Sequence, residues 1–180
     1  GMDSTELGVD PLEFSEAYRL ASSASLRLTA HQGENSPPSA ILLDVDRLGA
    51  ERIDHGISIL DDPAAAKRLA DERIPLTVCP ISNVRIANLV PRLEDHPWPR
   101  MEAAGLHLSL NTDDPAMVPS DLGKEYAELA KAFGYSFDHM VEISLAGVDA
   151  TWLDDAERRE LRQRVNAAAG ELRPHIDPAR

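Results

Sequence analysis

Leu106-His107-Leu108-Ser109-Leu110-Asn111-Thr112-Asp113-Asp114-Pro115 decides how this chain is read. Its first five residues form an apolar run that reads as a buried parallel strand. The carboxylate pair follows at once, at the strand's C-terminal end, where β/α folds place their chemistry. Adjacent side chains on extended backbone point in different directions. One Asp can therefore face a metal while its neighbour faces a substrate. Taken alone, Asn111 to Pro115 also reads as a turn, with Asp114 capping the next helix.

Working outward, the pattern alternates. Strand candidates stand at 26–30, 52–54 and 75–78, upstream of 106–110. Helical spacing of apolar residues marks 11–23, 37–48, 62–72 and 97–104, and three more helices are expected at 122–133, 138–146 and 154–169. This is a run of βα units, which argues for a parallel sheet with helices packed outside. The strands are expected to be apolar on both faces. A closed β/α barrel takes eight strands in about 250 residues. The expected fold is therefore α/β: a partial (half) β/α barrel of about four parallel strands, with outer helices and C-terminal helices. Residues 1–180 are expected to form one domain, with 171–180 a frayed tail. The opening Gly1-Met2-Asp3-Ser4-Thr5-Glu6 reads as a loop that should follow a strand, and Gly1 reads as a remnant of tag removal.

Asp and Glu total 31 against 18 for Lys and Arg, a net charge of −13. Such a chain, without a basic stripe, is a poor nucleic-acid binder. No apolar run approaches the roughly 18 residues of a membrane span, and no charged-then-apolar signal segment opens the chain. A cytoplasmic location without a membrane partner is expected. The single cysteine, Cys79, excludes an internal disulfide and a Cys-based metal cluster within one chain.

Each strand candidate is followed by residues of catalytic type: His31-Gln32-Gly33-Glu34, His55-Gly56, Cys79-Pro80-Ile81-Ser82-Asn83 and Asp113-Asp114. In a barrel these ends converge on one mouth. His and Asp are ligands for a divalent metal. A Glu can shuttle a proton, and a second His can orient or polarise a metal-bound water. Each has a plainer reading too: a hydrogen-bonded turn histidine, a buried small thiol, a Ser-Asn cap.

Together these stretches resemble the motifs of adenosine and adenine deaminases. His31 to Glu34 resembles the family's His-Ala-Gly-Glu. Arg52-Ile53-Asp54-His55-Gly56 resembles Arg-Ile-x-His-Gly. Cys79 to Asn83 is similar to Cys-Pro-x-Ser-Asn, and Asn111 to Pro115 to the family's Asp-Asp-Pro motif. The resemblance runs from about residue 1 to about residue 165. It implies hydrolytic, zinc-dependent removal of the 6-amino group from a purine base or nucleoside. It implies His31 and Asp113 as zinc ligands and Glu34 as proton donor to purine N1. His55 would hold and polarise the zinc-bound water, and Asp114 would accept a hydrogen bond from purine N7. Gly1 to Glu6 resembles the first purine-pocket loop of the adenine deaminase branch, which adds Asp3 and Ser4 as substrate-binding candidates. The Pro-Cys-x-x-Cys signature of cytidine-deaminase-type zinc sites is absent.

The sequence departs from the family in two respects, the smaller being Gln32 where the family usually has Ala. The His-x-His pair that supplies two further zinc ligands is missing. Of the six histidines, His107 lies inside a strand candidate, while His96 and His139 precede helices. Two ligands are fewer than the three or more that a catalytic zinc site takes. The resemblance is thus to the family's C-terminal half. Three readings follow: a chain that acts with a partner N-terminal half, an inactive remnant, or a purine-binding or interaction module. Open strand edges and uncovered apolar surface predict a homodimer or pairing with the missing half. An open nucleotide-binding α/β domain would need a Gly-rich strand-to-helix turn, and none is present.

Overall fold

The computed structural model describes residues 1–176 apart from Ser4 and Asn88. The candidate Ser4 thus lies outside the described residues. Strands β1 (Thr29–Gln32), β2 (Arg52–His55), β3 (Pro75–Val78) and β4 (His107–Leu110) form one sheet in that order, every pair parallel. Helices α1 (Ser15–Ser23), α2 (Pro38–Leu43), α3 (Pro63–Glu72), α4 (Pro80–Arg85) and α5 (Trp98–Ala103) lie between or before strands, and α6 (Leu122–Phe133), α7 (Phe137–Asp149) and α8 (Asp155–Ile176) follow β4. The expected half-barrel order is what forms.

Local chemistry fixes the helix ends. Asp62 accepts hydrogen bonds from the backbone N–H groups of Ala64 and Ala65 at 2.9 and 3.1 Å, and Pro63 starts α3 with its φ already helical. Asp121 caps α6 through Lys124 N at 2.8 Å, and Gly134 closes that helix in the left-handed region.

One level of the sheet sets the core. Ala30 pairs with Ile53, Ile53 with Leu76, and Leu76 with Leu108. All four are buried and pack with Leu69, Trp98, Met101 and Leu129 of the outer helices. The other face is different. Thr29, His31, Arg52, Asp54, Thr77, His107 and Ser109 alternate with the core residues and are half-buried. Asp54 accepts hydrogen bonds there from Thr29 Oγ1 at 2.9 Å and from Thr77 Oγ1. The Arg52 guanidinium lies 3.8 Å from the centroid of the Trp152 ring.

This corrects the expectation of strands apolar on both faces. The face packed by Leu69, Trp98, Met101 and Leu129 is the apolar one, whereas the other is polar and meets α7 at β4. The alternation was already visible in Leu106-His107-Leu108-Ser109-Leu110, a period of two. The concave face therefore offers polar surface, not the uncovered apolar surface expected of a half barrel.

Three boundaries also differ. β1 begins at Thr29 rather than Leu26, because Leu28 turns into a satellite cluster with Tyr18 and Leu48 while Leu26 is exposed. His31 is consequently within the strand and not beyond it. Pro80 to Arg85 is helical where a capped turn was an open reading. Helix α8 continues to Ile176, past the expected start of a frayed tail, and residues 177–180 lie outside the described ones.

At the sheet's margins, Met2 makes a parallel bridge to Ala30, with His31 N donating to Met2 O at 3.0 Å. Helix α7 packs on β4: His107 Nε2 lies 3.2 Å from the Ala146 carbonyl oxygen. No helix among the described residues is long and apolar enough to cross a membrane.

Candidate active site

All four strands end at one cavity of about 860 Å³, lined among others by Asp3, His31, His55, Cys79, Asp113 and Asp114. The sequence placed the chemistry at these strand ends, and the structure brings it together there.

His31 points into the concavity from β1, and its ring meets that of His55 edge-on at 4.5 Å between centroids. His55 and Asp113 both have positive φ, 66° and 57°. For residues with a Cβ this conformation is strained and persists only where surrounding contacts hold it. In β2 the strain breaks the alternation and re-aims the His55 ring towards the mouth. Gly56, at φ 69°, follows, and its N–H donates to Gln32 O at 2.9 Å, tying the end of β2 to β1. Asp113 is held by Ser82 Oγ, which donates to its Oδ2. His55 Nε2 lies 4.0 Å from that same Oδ2. Asp114 does not cap a helix. Its carbonyl oxygen accepts from Met117 N and Val118 N, and Asp121 caps α6 instead.

Glu34 follows the tight turn at Gly33, whose φ is 84°. A Cβ on Gly33 would stand 2.4 Å from Ile41 Cδ1 and 3.1 Å from Gly56 Cα. Ile41 is fully buried and has nowhere to move. Gly33→Ala is expected to cost about 2–3 kcal/mol, read as a lowered urea midpoint with an unchanged slope.

Behind these groups lies a buried polar layer. Asn83, on α4, is fully buried; its Nδ2 is 2.7 Å from Glu34 Oε1 and 3.1 Å from His55 Nδ1. Its Oδ1 is 3.2 Å from Nε2 of His96, itself buried. Glu125 reaches from α6 to accept from Ile81 N at 3.2 Å and so caps the short helix that carries Ser82 and Asn83. Burial pushes the His96 pKa down to about 4, and burial also lowers that of His55 against the pull of Glu34 and Asp113. Burial thus favours the neutral form of both rings.

Glu6 holds the other side. Its carboxylate accepts from the backbone N–H groups of Glu34 and Asn35, each at 2.9 Å, and lies 3.2 Å from His31 Nδ1. Burial raises the Glu6 pKa, but the bonds from His31, Ser36 and the two amides outweigh it and hold the group at about 2. In turn, burial depresses the His31 pKa, and the Glu6 carboxylate more than offsets this, leaving it raised.

Asp44 lies beneath this layer, fully buried, with Oδ1 unpartnered. Gln32, oriented with its amide nitrogen 3.2 Å from Asp44 Oδ2, is its neighbour. Burial, with the nearby Glu6 charge, pushes the Asp44 pKa up to about 7. The folded state therefore keeps a proton that the unfolded chain releases near its ordinary value of 3.8. Stability from this group is present at acid pH and is lost as pH rises from about 4 through about 7. His96 works in the opposite sense, costing stability as pH falls from 6.5 towards 4. The difference between wild type and Asp44→Asn isolates the first effect. Denaturation at pH 4 and pH 8 is expected to show the variant gaining on the order of 3 kcal/mol relative to wild type across that interval.

The donor set fits a divalent cation. Ligand atoms of His31, Glu34 and His55 lie within 4.8 Å of one another, as do those of His55, Cys79 and Asp113. Among the described lining residues Arg52 carries the one fixed positive charge, against Asp3, Asp54, Asp113 and Asp114. Sequence reasoning placed Asp3, His31, Glu34, His55, Asp113 and Asp114 around this space. It missed Glu6, Asn83 and His96 as parts of the site. Glu6 and Asn83 lay inside quoted motifs without a role, and His96-Pro97 was read only as a helix start.

The family described as adenosine deaminase matches residues 1–168. The adenine deaminase of Streptomyces coelicolor is 43% identical over 93% of this chain and 48% of its own length. That of Aspergillus fumigatus is 39% identical over 92% of this chain and 46% of its own. Among solved structures, the adenine deaminase from Arthrobacter aurescens superimposes with a TM-score of 0.89 at 38% identity, covering 93% of this chain and 51% of that one. An amidohydrolase from Burkholderia ambifaria with bound zinc gives 0.86 at 31% identity, covering 97% and 49%. The chain thus spans about half the length of the relatives it matches. Its sequence, its sheet and its cavity agree on one conclusion: the chain belongs to the adenosine deaminase family.

Proposed function

We propose that this chain carries the C-terminal part of an adenine deaminase site, which hydrolyses the 6-amino group of a purine. One observation carries the reading: Glu34, His55 and Asp113, from three separate strand ends, come together, with Glu34 Oε1 3.5 Å from His55 Nδ1 and His55 Nε2 4.0 Å from Asp113 Oδ2, and His55 and Asp113 line the cavity. Adenine is preferred to a nucleoside because the relatives named above are adenine deaminases.

His31 and Asp113 would hold zinc, completed by ligands from outside the described residues. Zinc, when bound, supplies Lewis acidity towards water. The rest falls to the chain. Glu34 donates a proton to purine N1 as C6 accepts the attacking oxygen. His55 holds that oxygen in line. Asp114 accepts a hydrogen bond from purine N7, and Asp3 lines the rim. Water adds at C6 and the C6–N bond breaks; one water proton replaces the proton that Glu34 gave to N1, the other leaves with the amino group as ammonia, and a 6-oxopurine remains.

Two ligands are too few for a catalytic zinc, so activity is proposed to require the further ligands of a complementary N-terminal half. The polar concave face would make that contact, either with a complementary segment or with another copy. The test supplies zinc and adenine to the chain alone and to the chain mixed with the N-terminal half of the Streptomyces relative. Ammonia and hypoxanthine are expected from the mixture and near-background release from the chain alone. Failure of the mixture to turn over, although light scattering shows it associated, overturns the proposal.

A further inference from the structure

His96 does not line the large cavity but shares a smaller one with Glu34, and a one-way chain of donors runs through it. It begins at a group with no choice: the backbone N–H of Trp98, at the start of α5, can only donate. It lies 3.1 Å from His96 Nδ1. That nitrogen must accept, so the ring's proton sits on Nε2. His96 Nε2 is 3.2 Å from Asn83 Oδ1. An Asn83 amide turned the other way would set NH₂ against N–H inside a buried layer, an arrangement that costs roughly 1–3 kcal/mol. Nδ2 is thereby left facing Glu34 Oε1 at 2.7 Å and His55 Nδ1 at 3.1 Å. His55 Nδ1 accepts in its turn, and its proton moves to Nε2, the nitrogen facing Asp113 across the mouth.

We propose that His96 is a positioning residue: it passes the donor direction of the Trp98 N–H through Asn83 to His55, and so presents His55 to the cavity as its Nε2–H tautomer. Burial supports this, since Asn83 is fully enclosed while His55 and His96 are 2% and 3% exposed, and bulk water cannot re-pair them. Each nitrogen in the chain has its role set by the partner it faces. The consequence is that His55 donates a hydrogen bond into the site rather than offering a lone pair. The catalytic meaning of that donor rests on the deaminase reading, whereas the tautomers do not.

Long-range ¹H–¹⁵N correlation of the imidazoles in the whole chain tests it at neutral pH, without metal or substrate. Both His96 and His55 are expected protonated on Nε2. Protonation of either on Nδ1 in the wild type overturns the proposal whether or not any variant folds. His96→Phe keeps bulk and removes the donor, so His55 is expected to become a tautomer mixture. His96→Gln returns an NH₂ donor towards Asn83 and is expected to restore the single form. A residue that merely fills space would behave the opposite way, with Phe harmless and Gln disturbing. A folded His96→Phe with an unchanged His55 tautomer likewise overturns the assignment. In an assembly that deaminates adenine, His96→Phe is expected to lower kcat by roughly tenfold with KM held. Loss of that arm alone, with the tautomers as expected, counts against the deaminase reading and not against the relay.

Discussion

Glu34→Gln is expected to lower kcat/KM for adenine by about 10²–10⁴-fold, with the chain still folded. The carboxyl group is placed to give a proton; a carboxamide has no comparable acid to offer. The substitution nevertheless keeps the local structure, because the Gln carbonyl oxygen can still accept from Asn83 Nδ2, the bond that Glu34 Oε1 makes at 2.7 Å. The Glu34 backbone N–H likewise keeps its bond to Glu6. An unchanged urea midpoint alongside the rate loss separates chemistry from folding. A variant within about threefold of wild type in kcat/KM would remove Glu34 from the role of acid.

Asn83→Leu is the second large effect, and it falls on stability and rate together. Leucine matches the volume but leaves three groups unpaired: the half-buried Glu34 Oε1 and the buried His55 Nδ1 and His96 Nε2. Each such orphan costs roughly 1–3 kcal/mol, and relaxation of the layer recovers part, so a loss of about 3–4 kcal/mol is expected. Denaturant titration measures it. Asn83→Asp makes a useful contrast: it retains an acceptor for His96 but sets a second carboxylate against Glu34. Its activity is expected to fall further than its stability. A leucine variant as stable as wild type would mean that the buried layer is not bonded as described.

Most of the architecture was legible because the chain advertises it locally. Asp62-Pro63 and Asp121 mark helix starts by capping chemistry, and the run 106–110 with Asp113-Asp114 marks a strand delivering carboxylates to its end. What misled was hydrophobic content read without its period. Leu26 and Leu28 looked like the body of a strand, whereas Leu26 is exposed and Leu28 packs on Tyr18 and Leu48. His96 was passed over because nothing in the dipeptide His96-Pro97 says that its ring turns inward to meet an amide thirteen residues earlier.

The sequence by itself determined the βα order, the parallel sheet, the residue types at each strand end and the family they resemble. These depend on period, capping and motif, all of which are local. Tertiary structure alone decided which face of the sheet is polar, that His55 and Asp113 are held in strained backbone, and that Glu6, Asn83 and His96 brace the site. Those facts depend on which groups are buried together, and burial is a property of the folded whole: the same Asn or His is a solvated turn residue until neighbouring elements close over it and make every unpaired donor costly.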